Sequence, residues 1–333
     1  MGVQKILFFK PGAIGDFLQS LPALKALRKK FPAAHVTVVV SSGLEPLIQG
    51  TDIADSIYVY DKSKFKKNIR EFVAFGLRLR RERYDLFVDM QSSTRSFILR
   101  RISGANRAVV YRKQKKVGPG ERRLHAAENF METIRPLGIT DRVDRIRLPL
   151  TPDAEKAADR FLTERGINND KRLIALNCSV GSARPARNWF PDRFAVLADR
   201  LISDLGAAVV FVGGREDKEL VAGVMSGMKR KAVSAAGDLL IAHTAALLAR
   251  CACLVSSDTG PLHLATAVQT PVIGLYGSTD PLRTGPVGAG HMVLMKKLPC
   301  VPCEQKDCPL GTRKCMADIT VDDVLEAVWK TVR

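Results

Sequence analysis

Short, strongly apolar runs alternate with helix-length segments along the whole chain, and no other feature narrows the fold so far. Lys5–Lys10 (KILFFK) and His35–Val40 (HVTVVV) read as strands buried on both faces, because their apolar residues run on without the alternation of a half-exposed sheet. Between them lie a glycine-containing turn, Pro11–Gly15, and a helix, Asp16–Lys30, with Phe17, Leu18, Leu21, Leu24 and Leu27 at helical spacing. Phe65–Arg83 reads as a basic helix, Asp85–Met90 and Ala108–Tyr111 as strands, and His125–Pro136 as a helix. The same grammar returns after Leu148–Asp153, a linker with two prolines and a Thr/Asp helix start. Leu173–Asn177, Ala208–Gly213, Cys253–Ser256 and Pro271–Tyr276 are the strands of this second half. Its helices are Pro191–Leu205, Glu216–Met225, Thr244–Arg250, Pro261–Val268 and Val321–Val332.

Strands that alternate with helices imply parallel sheets covered on both faces. The expected architecture is α/β, with two Rossmann-like domains, 1–152 and 153–333, facing a central cleft. The last helix is able to pack back on the N-terminal domain. Ligands of such sheets sit at the carboxyl ends of the strands, where the turn glycines are.

Charge separates the two halves. Residues 1–150 hold 29 Lys+Arg against 14 Asp+Glu, a surplus of +15, whereas residues 151–333 hold 23 against 20. A one-sided surplus predicts a polyanionic partner for the first half: nucleic acid, an anionic membrane surface or an acidic substrate. A merely soluble basic surface is the bland alternative. Nucleic acid fits poorly, because a 6% aromatic content without an interleaved basic and aromatic strand makes no stacking platform. The longest apolar-looking stretch, Leu239–Val255, is broken by His243, Thr244 and Arg250, so no membrane-spanning helix is expected. The apolar core Ile6–Phe9 is too short for a signal peptide and is followed by Lys10, so a cytoplasmic location is expected.

Four motifs fall at strand ends. Lys10-Pro-Gly-Ala-Ile-Gly15-Asp16 joins the first strand to the first helix. It offers free backbone N–H groups and a carboxylate at a helix start. It lacks the G-x-G pair of a dinucleotide site, which argues against a dehydrogenase or epimerase. Asp16 reads either as a first-turn acid that complements the helix dipole or as a general base. Ser256-Ser-Asp258-Thr259-Gly260-Pro-Leu-His263 places bare backbone at a helix N-terminus, a seat for phosphate, with His263 one turn in. Ser182–Pro191 carries Arg184 and Arg187, either of which can neutralise a diphosphate, beside Trp189, a packing anchor. Gly213-Gly-Arg-Glu216-Asp217 sets a carboxylate after a glycine turn, suited to ribose hydroxyls or to a helix start.

Together these motifs resemble glycosyltransferase family 9, the lipopolysaccharide heptosyltransferases, over nearly the whole chain. The resemblance rests on Gly15-Asp16 with Leu21-Pro-Ala-Leu24, on Asp258-Thr-Gly-Pro-Leu-His263-Leu-Ala, and on Thr270-Pro-Val-Ile-Gly-Leu-Tyr-Gly-Ser-Thr279-Asp-Pro281. It implies a GT-B fold and an inverting transfer of heptose from ADP-heptose to the inner core of lipopolysaccharide. By that resemblance Asp16 is the general base on the acceptor hydroxyl. Arg187, where the family often has Lys, holds the donor diphosphate. Glu216 binds the adenosine ribose, Asp258 the heptose hydroxyls, Thr259 and Gly260 the phosphates, and His263 the donor.

No Asp-x-Asp nucleotide-metal motif is present, so a metal-free reaction without cofactor is expected. The phosphorylated lipid A–Kdo acceptor is assigned to the basic half. Its candidate contacts are Lys10, Gly15, Gln91, Arg95 and Arg112. The basic clusters are Lys62–Lys67, Arg78–Arg83 and Arg112–Arg123; each alone is also what a solvated helix face looks like. Phe65–Arg83 sets Phe65, Ile69, Phe72, Val73 and Leu77 on one face among cations. That pattern suits either a crossover helix or a peripheral contact with the anionic inner face of the membrane. Cys300, Cys303, Cys308 and Cys315 form a C-x2-C-x4-C-x6-C set that reads as structural zinc ligands or as free thiols.

Overall fold

A computed structural model describes residues 2–114, 123–167, 170–181 and 184–332 of the chain. The chain divides into two units, Met1–Asp144 and Arg145–Arg333. The sequence reading draws this boundary at 152/153. Residues 145–152 go with the second unit because Leu148 N donates to Ala267 O (2.9 Å) and Gln269 Nε2 to Ile146 O (2.7 Å).

In the first unit the order is β1 (Lys5–Phe9), α1 (Ile14–Lys30), β2 (His35–Val40), α2 (Glu45–Ile48), β3 (Ser56–Val59), α3 (Lys62–Lys67), α4 (Ile69–Arg81), β4 (Leu86–Asp89), α5 (Thr94–Ser103), β5 (Arg107–Val110) and α6 (Ala126–Ile134). The sheet runs β3-β2-β1-β4-β5, all parallel. β1 and β4 are central, which is why KILFF and LFVD are almost wholly buried. α4 and α5 pack on each other over one face, where Leu7, Phe9, Val39 and Phe87 meet Phe65, Phe72, Leu79 and Leu99. α1 packs on α6.

The expected single helix Phe65–Arg83 is two. Asn68 ends α3 and caps α4, its side chain accepting from Arg70 N (3.1 Å) and Glu71 N (3.3 Å). Nor do its apolar residues share one face: Phe65 and Phe72 enter the core, whereas Ile69, Val73 and Leu77 face solvent. Gly76 lets α4 approach α5, since a β-carbon there would lie 2.8 Å from Ile102 Cγ2.

The second unit comprises α7 (Pro152–Glu164), β6 (Leu173–Asn177), α8 (Pro191–Leu205), β7 (Ala208–Phe211), α9 (Lys218–Ser226), β8 (Val233–Ser234), α10 (Ile241–Ala249), β9 (Cys253–Ser257), α11 (Gly260–Ala267), β10 (Val272–Tyr276), α12 (Pro281–Thr284), β11 (Met292–Met295), α13 (Lys314–Ala317) and α14 (Val321–Val332). Its parallel sheet runs β11-β10-β9-β6-β7-β8. Thr151 caps α7, as its Thr-Pro-Asp start predicts. The closing helix α14 packs on α8 and β9–β11, and Val324, Leu325, Ala327 and Val328 enter the core of this unit. Among the described residues no helix is long and apolar enough to cross a membrane.

Candidate active site

In each unit polar side chains gather where the central strands end. In the first unit β1 delivers Lys10, whose Nζ donates to Asp16 Oδ2 and to Gln91 Oε1, both at 3.2 Å. Lys10 is buried, with a side chain 3% exposed, whereas Asp16 in the first turn of α1 is 55% exposed. Burial lowers the Lys10 ammonium from its ordinary value, and the carboxylates of Asp16 and Asp89 oppose that shift. The Lys10 Nζ also lies 5.3 Å from the Phe130 ring centroid, and that ring stacks on Tyr111.

Gln91 is held by the end of β4. Asp89, 1% exposed, accepts from Gln91 N (3.0 Å) and Ser92 N (2.9 Å). Asp89 was not among the sequence candidates. Its signal is a carboxylate that closes an otherwise apolar strand. Lys10, Gly15, Asp16 and Gln91 are thus brought together. Arg95 stands instead beside the Tyr60 hydroxyl, which burial pushes up and Arg95 draws back down. Arg112 lines a groove of about 530 Å³ with Arg107, Asn129 and Glu132. Lys115, Lys116 and Arg122 of the third basic cluster lie outside the described residues.

In the second unit Asp258 is the hub. It is 2% exposed, and its carboxylate meets Arg187 Nη1 at 3.1 Å, His263 Nε2 at 3.4 Å and the Thr284 hydroxyl at 3.0 Å. Burial acts to raise its carboxyl, but the hydrogen bond and charge of His263, with Arg187, outweigh that and hold it below the ordinary range. The backbone oxygen of Asp258 also accepts from Arg187 Nη1 at 2.8 Å. Both carboxylate oxygens therefore have protein partners, a property relevant to the hydroxyl-binding role suggested by resemblance.

Arg187 sits on a short 3₁₀ turn, Pro185–Arg187. The turn is pinned by Trp189, whose Nε1 donates to Ile319 O (2.9 Å) and whose ring stands edge-on to Phe194. Ser182, the first residue of this motif, lies outside the described residues. The Arg187 Nε is buried without a hydrogen-bond partner among the described residues. Close by, Thr259 begins α11 without capping it. Its hydroxyl turns instead toward Asn177 Nδ2 (3.0 Å) and Ser257 O (3.3 Å). The first-turn N–H groups at Gly260 keep no side-chain cap, which leaves them available to an anion.

Asn177 and Thr284 also escaped the sequence reading. Asn177 ends β6, and its Nδ2 lies 2.9 Å from Ser179 O and 3.0 Å from Ser256 Oγ, tying β6 to β9. Glu216 is exposed on the 3₁₀ turn Arg215–Asp217 after β7, and Asp217 rather than Glu216 caps that turn by accepting from Gly214 N at 2.7 Å. Cys300, Cys303, Cys308 and Cys315 line one cavity of about 170 Å³ and are free thiols. Among the described residues no three His, Cys, Asp or Glu side chains are disposed to hold a metal.

The sequence model of glycosyltransferase family 9 (heptosyltransferase) matches residues 72–314. The chain belongs to glycosyltransferase family 9. Lipooligosaccharide heptosyltransferase 2 of Campylobacter jejuni is 24% identical over 98% of both chains. The family 9 glycosyl transferase of Veillonella parvula superposes with a TM-score of 0.86 at 24% identity, covering 99% of this chain and 97% of that one. The Escherichia coli ADP-heptose lipopolysaccharide heptosyltransferase II superposes with a TM-score of 0.80 at 20% identity, covering 99% and 98%. The family 9 chain therefore has the GT-B fold, with two Rossmann-like units. Its opening turn, its α11 start and its β10–α12 segment are the segments that carried the resemblance.

Proposed function

We propose that this family 9 glycosyltransferase moves a heptose from ADP-heptose to the inner core of lipopolysaccharide, with inversion and without a metal. The observation that carries the reading is the Arg187–Asp258–α11 cluster: a partly buried guanidinium with one unmatched donor, beside an uncapped helix start. A diphosphate supplies the acceptors both groups lack. The names of the relatives supply the sugar and the acceptor, and the lack of an Asp-x-Asp motif supports the metal-free route.

In this mechanism the exposed carboxylate of Asp16 takes the proton of an acceptor hydroxyl. That oxygen attacks the anomeric carbon from the face opposite the diphosphate. The bond from the anomeric carbon to the diphosphate breaks, and ADP leaves with the electron pair. Arg187 and the α11 N–H groups take up the charge that develops on it. Lys10 holds Asp16 toward the acceptor, and His263, fixed by Asp258, stands at the donor. Glu216 is the ribose contact. Gln91, Arg95 and Arg112 meet acceptor phosphates and carboxylates. The reaction is placed at the cytoplasmic face of the inner membrane, with no nucleic-acid partner.

Mass spectrometry of products from ADP-heptose and truncated lipopolysaccharide acceptors, with NMR of the new anomeric centre, tests the reading. Addition of one heptose with inverted configuration is expected. Transfer only from a different nucleotide sugar would replace the donor assignment, and absence of any transfer would remove the function. For Asp16→Ala, transfer is expected to vanish while ADP binding persists. Activity within a few-fold of wild type would reject Asp16 as the base.

A further inference from the structure

The outer surface of the α4–α5 layer is apolar where a soluble crossover layer would be polar. Of the eleven large apolar side chains exposed among the described residues, five lie on these two adjacent helices: Ile69 (68% exposed), Val73 (38%), Leu77 (47%), Phe97 (51%) and Ile98 (38%). Ile69, Val73 and Leu77 follow one another at intervals of four, so they form a line along one side of α4. The side of α4 that meets the core is made separately by Phe72, Gly76 and Leu79. Core packing therefore accounts for none of the outer line.

Cations surround this line. Residues 62–83 hold nine Lys/Arg against two Glu, and α5 holds three Arg and no acid. The two acids are already paired, Glu71 with Lys64 and Glu82 with Lys5. Lys62, Lys66, Lys67, Arg70, Arg81 and Arg101 remain exposed around the apolar residues. The cores of protein–protein interfaces are depleted in Lys, whereas an apolar strip within a lysine-rich rim suits an anionic lipid surface.

We infer that the outer face of α4 and α5 docks on the surface of an anionic lipid bilayer. Ile69, Val73, Leu77 and Phe97 enter the boundary between headgroups and acyl chains, and the surrounding Lys and Arg meet lipid phosphates. The face lies on the unit that carries the charge surplus. The inference rests on the membrane placement proposed above and names the face that makes the contact; because docking itself requires no transfer chemistry, it is tested separately from the reaction.

The test is sedimentation of the full chain with vesicles of phosphatidylcholine, with and without phosphatidylglycerol, and containing no glycolipid. Binding to the anionic vesicles alone is expected, weakening as salt is raised. The triple variant Ile69→Glu, Val73→Glu, Leu77→Glu is expected to bind about tenfold less. Lys66→Ala with Lys67→Ala and Arg70→Ala is a second, milder variant that should also bind less. Val196→Glu, at an exposed apolar position on α8, should bind as wild type does. Thermal melting at the wild-type temperature shows that each variant is folded, and transfer to a soluble deacylated acceptor should be unchanged. Equal binding to both vesicle types, wild-type binding by the triple variant, or a dimer that only the triple variant dissolves would each overturn the inference. Loss of transfer in wild type with vesicle binding intact would instead remove the reaction and leave this surface standing.

Discussion

Lys10 is buried, yet its ammonium reaches out to hold the exposed carboxylate of Asp16 at 3.2 Å. The contact joins the end of a central strand to the first turn of the helix that follows it. A side chain that is free to rotate at the surface is thereby given one preferred direction.

Replacement of Lys10 by Met should separate positioning from folding. The kcat is expected to fall about 10–100-fold while the donor KM changes little, because the groups proposed to hold the donor are other residues. The melting temperature should hold or rise, because burial already penalises the Lys10 charge. A rise in donor KM with unchanged kcat, read from steady-state kinetics, would reject this positioning role.

Arg187→Lys tests the geometry of the proposed diphosphate seat. The charge is kept, but the planar guanidinium, whose Nη1 reaches both the carboxylate and the backbone oxygen of Asp258, is lost. The donor KM should rise about tenfold. Asp258→Asn removes the counter-ion and leaves the guanidinium partly buried, at a cost of about 3–5 kcal/mol in unfolding free energy if the site behaves as fully buried. Urea titration of the two variants should thus rank Asp258→Asn as clearly less stable, and the opposite ranking would sink the hub assignment.

Asp55 gives the first unit a pH signature. Its carboxylate takes both Arg28 N–H groups (2.9 and 3.1 Å) and Val36 N (2.7 Å). Hydrogen bonding to Arg28, helped by Val36, lowers its pKa from 3.8 to about 2. A depressed carboxylate stabilises the fold fully above its unfolded value, and that contribution is lost as pH falls through the folded value. The destabilisation caused by Asp55→Asn should therefore be largest at neutral pH and shrink between pH 3.8 and about 2. A destabilisation independent of pH would show that the pair contributes nothing.

The seven thiols should fall into two classes. Burial pushes Cys178 and Cys253 up to about 12 and raises Cys251 as well, so these three should resist maleimide in the native protein. Backbone N–H donation, from Arg313 above all, lowers the Cys308 thiol, which should label first. Mass spectrometry after timed labelling reads the order. One equivalent of zinc together with protection of Cys308 would instead select the metal-ligand reading of the cluster.

The strands and most helices were legible because fully buried parallel strands leave unbroken apolar runs, as in KILFF, HVTVVV and LIALN. β3 and β11 were missed because SIYV and MVLM are half-buried edge strands, where composition is less constrained. α5 hid behind its three Ser/Thr and three Arg, a composition whose helix start is set by the Ser93–Ser96 capping box. The break at Asn68 was legible as a cap, but a long basic stretch disguised it. At the site, the motif residues stood out, whereas Asp89, Asn177 and Thr284 did not. Asn177 and Thr284 act by holding groups 82 and 26 residues away, and no local pattern records such a partner. Asp89 acts locally, on Gln91 N and Ser92 N, and is hidden only because it closes a strand read for its apolar residues.

The residues that meet at Asp258 come from three separate stretches: Arg187 after β6, His263 in α11 and Thr284 in α12. Arg187 and Thr284 reach Asp258 only once β6, β9 and β10 have paired, so the seat proposed for the nucleotide depends on the sheet beneath it. On that proposal a ligand of this seat binds complete second units alone, and titration with ADP should report the fraction of chains that have finished folding.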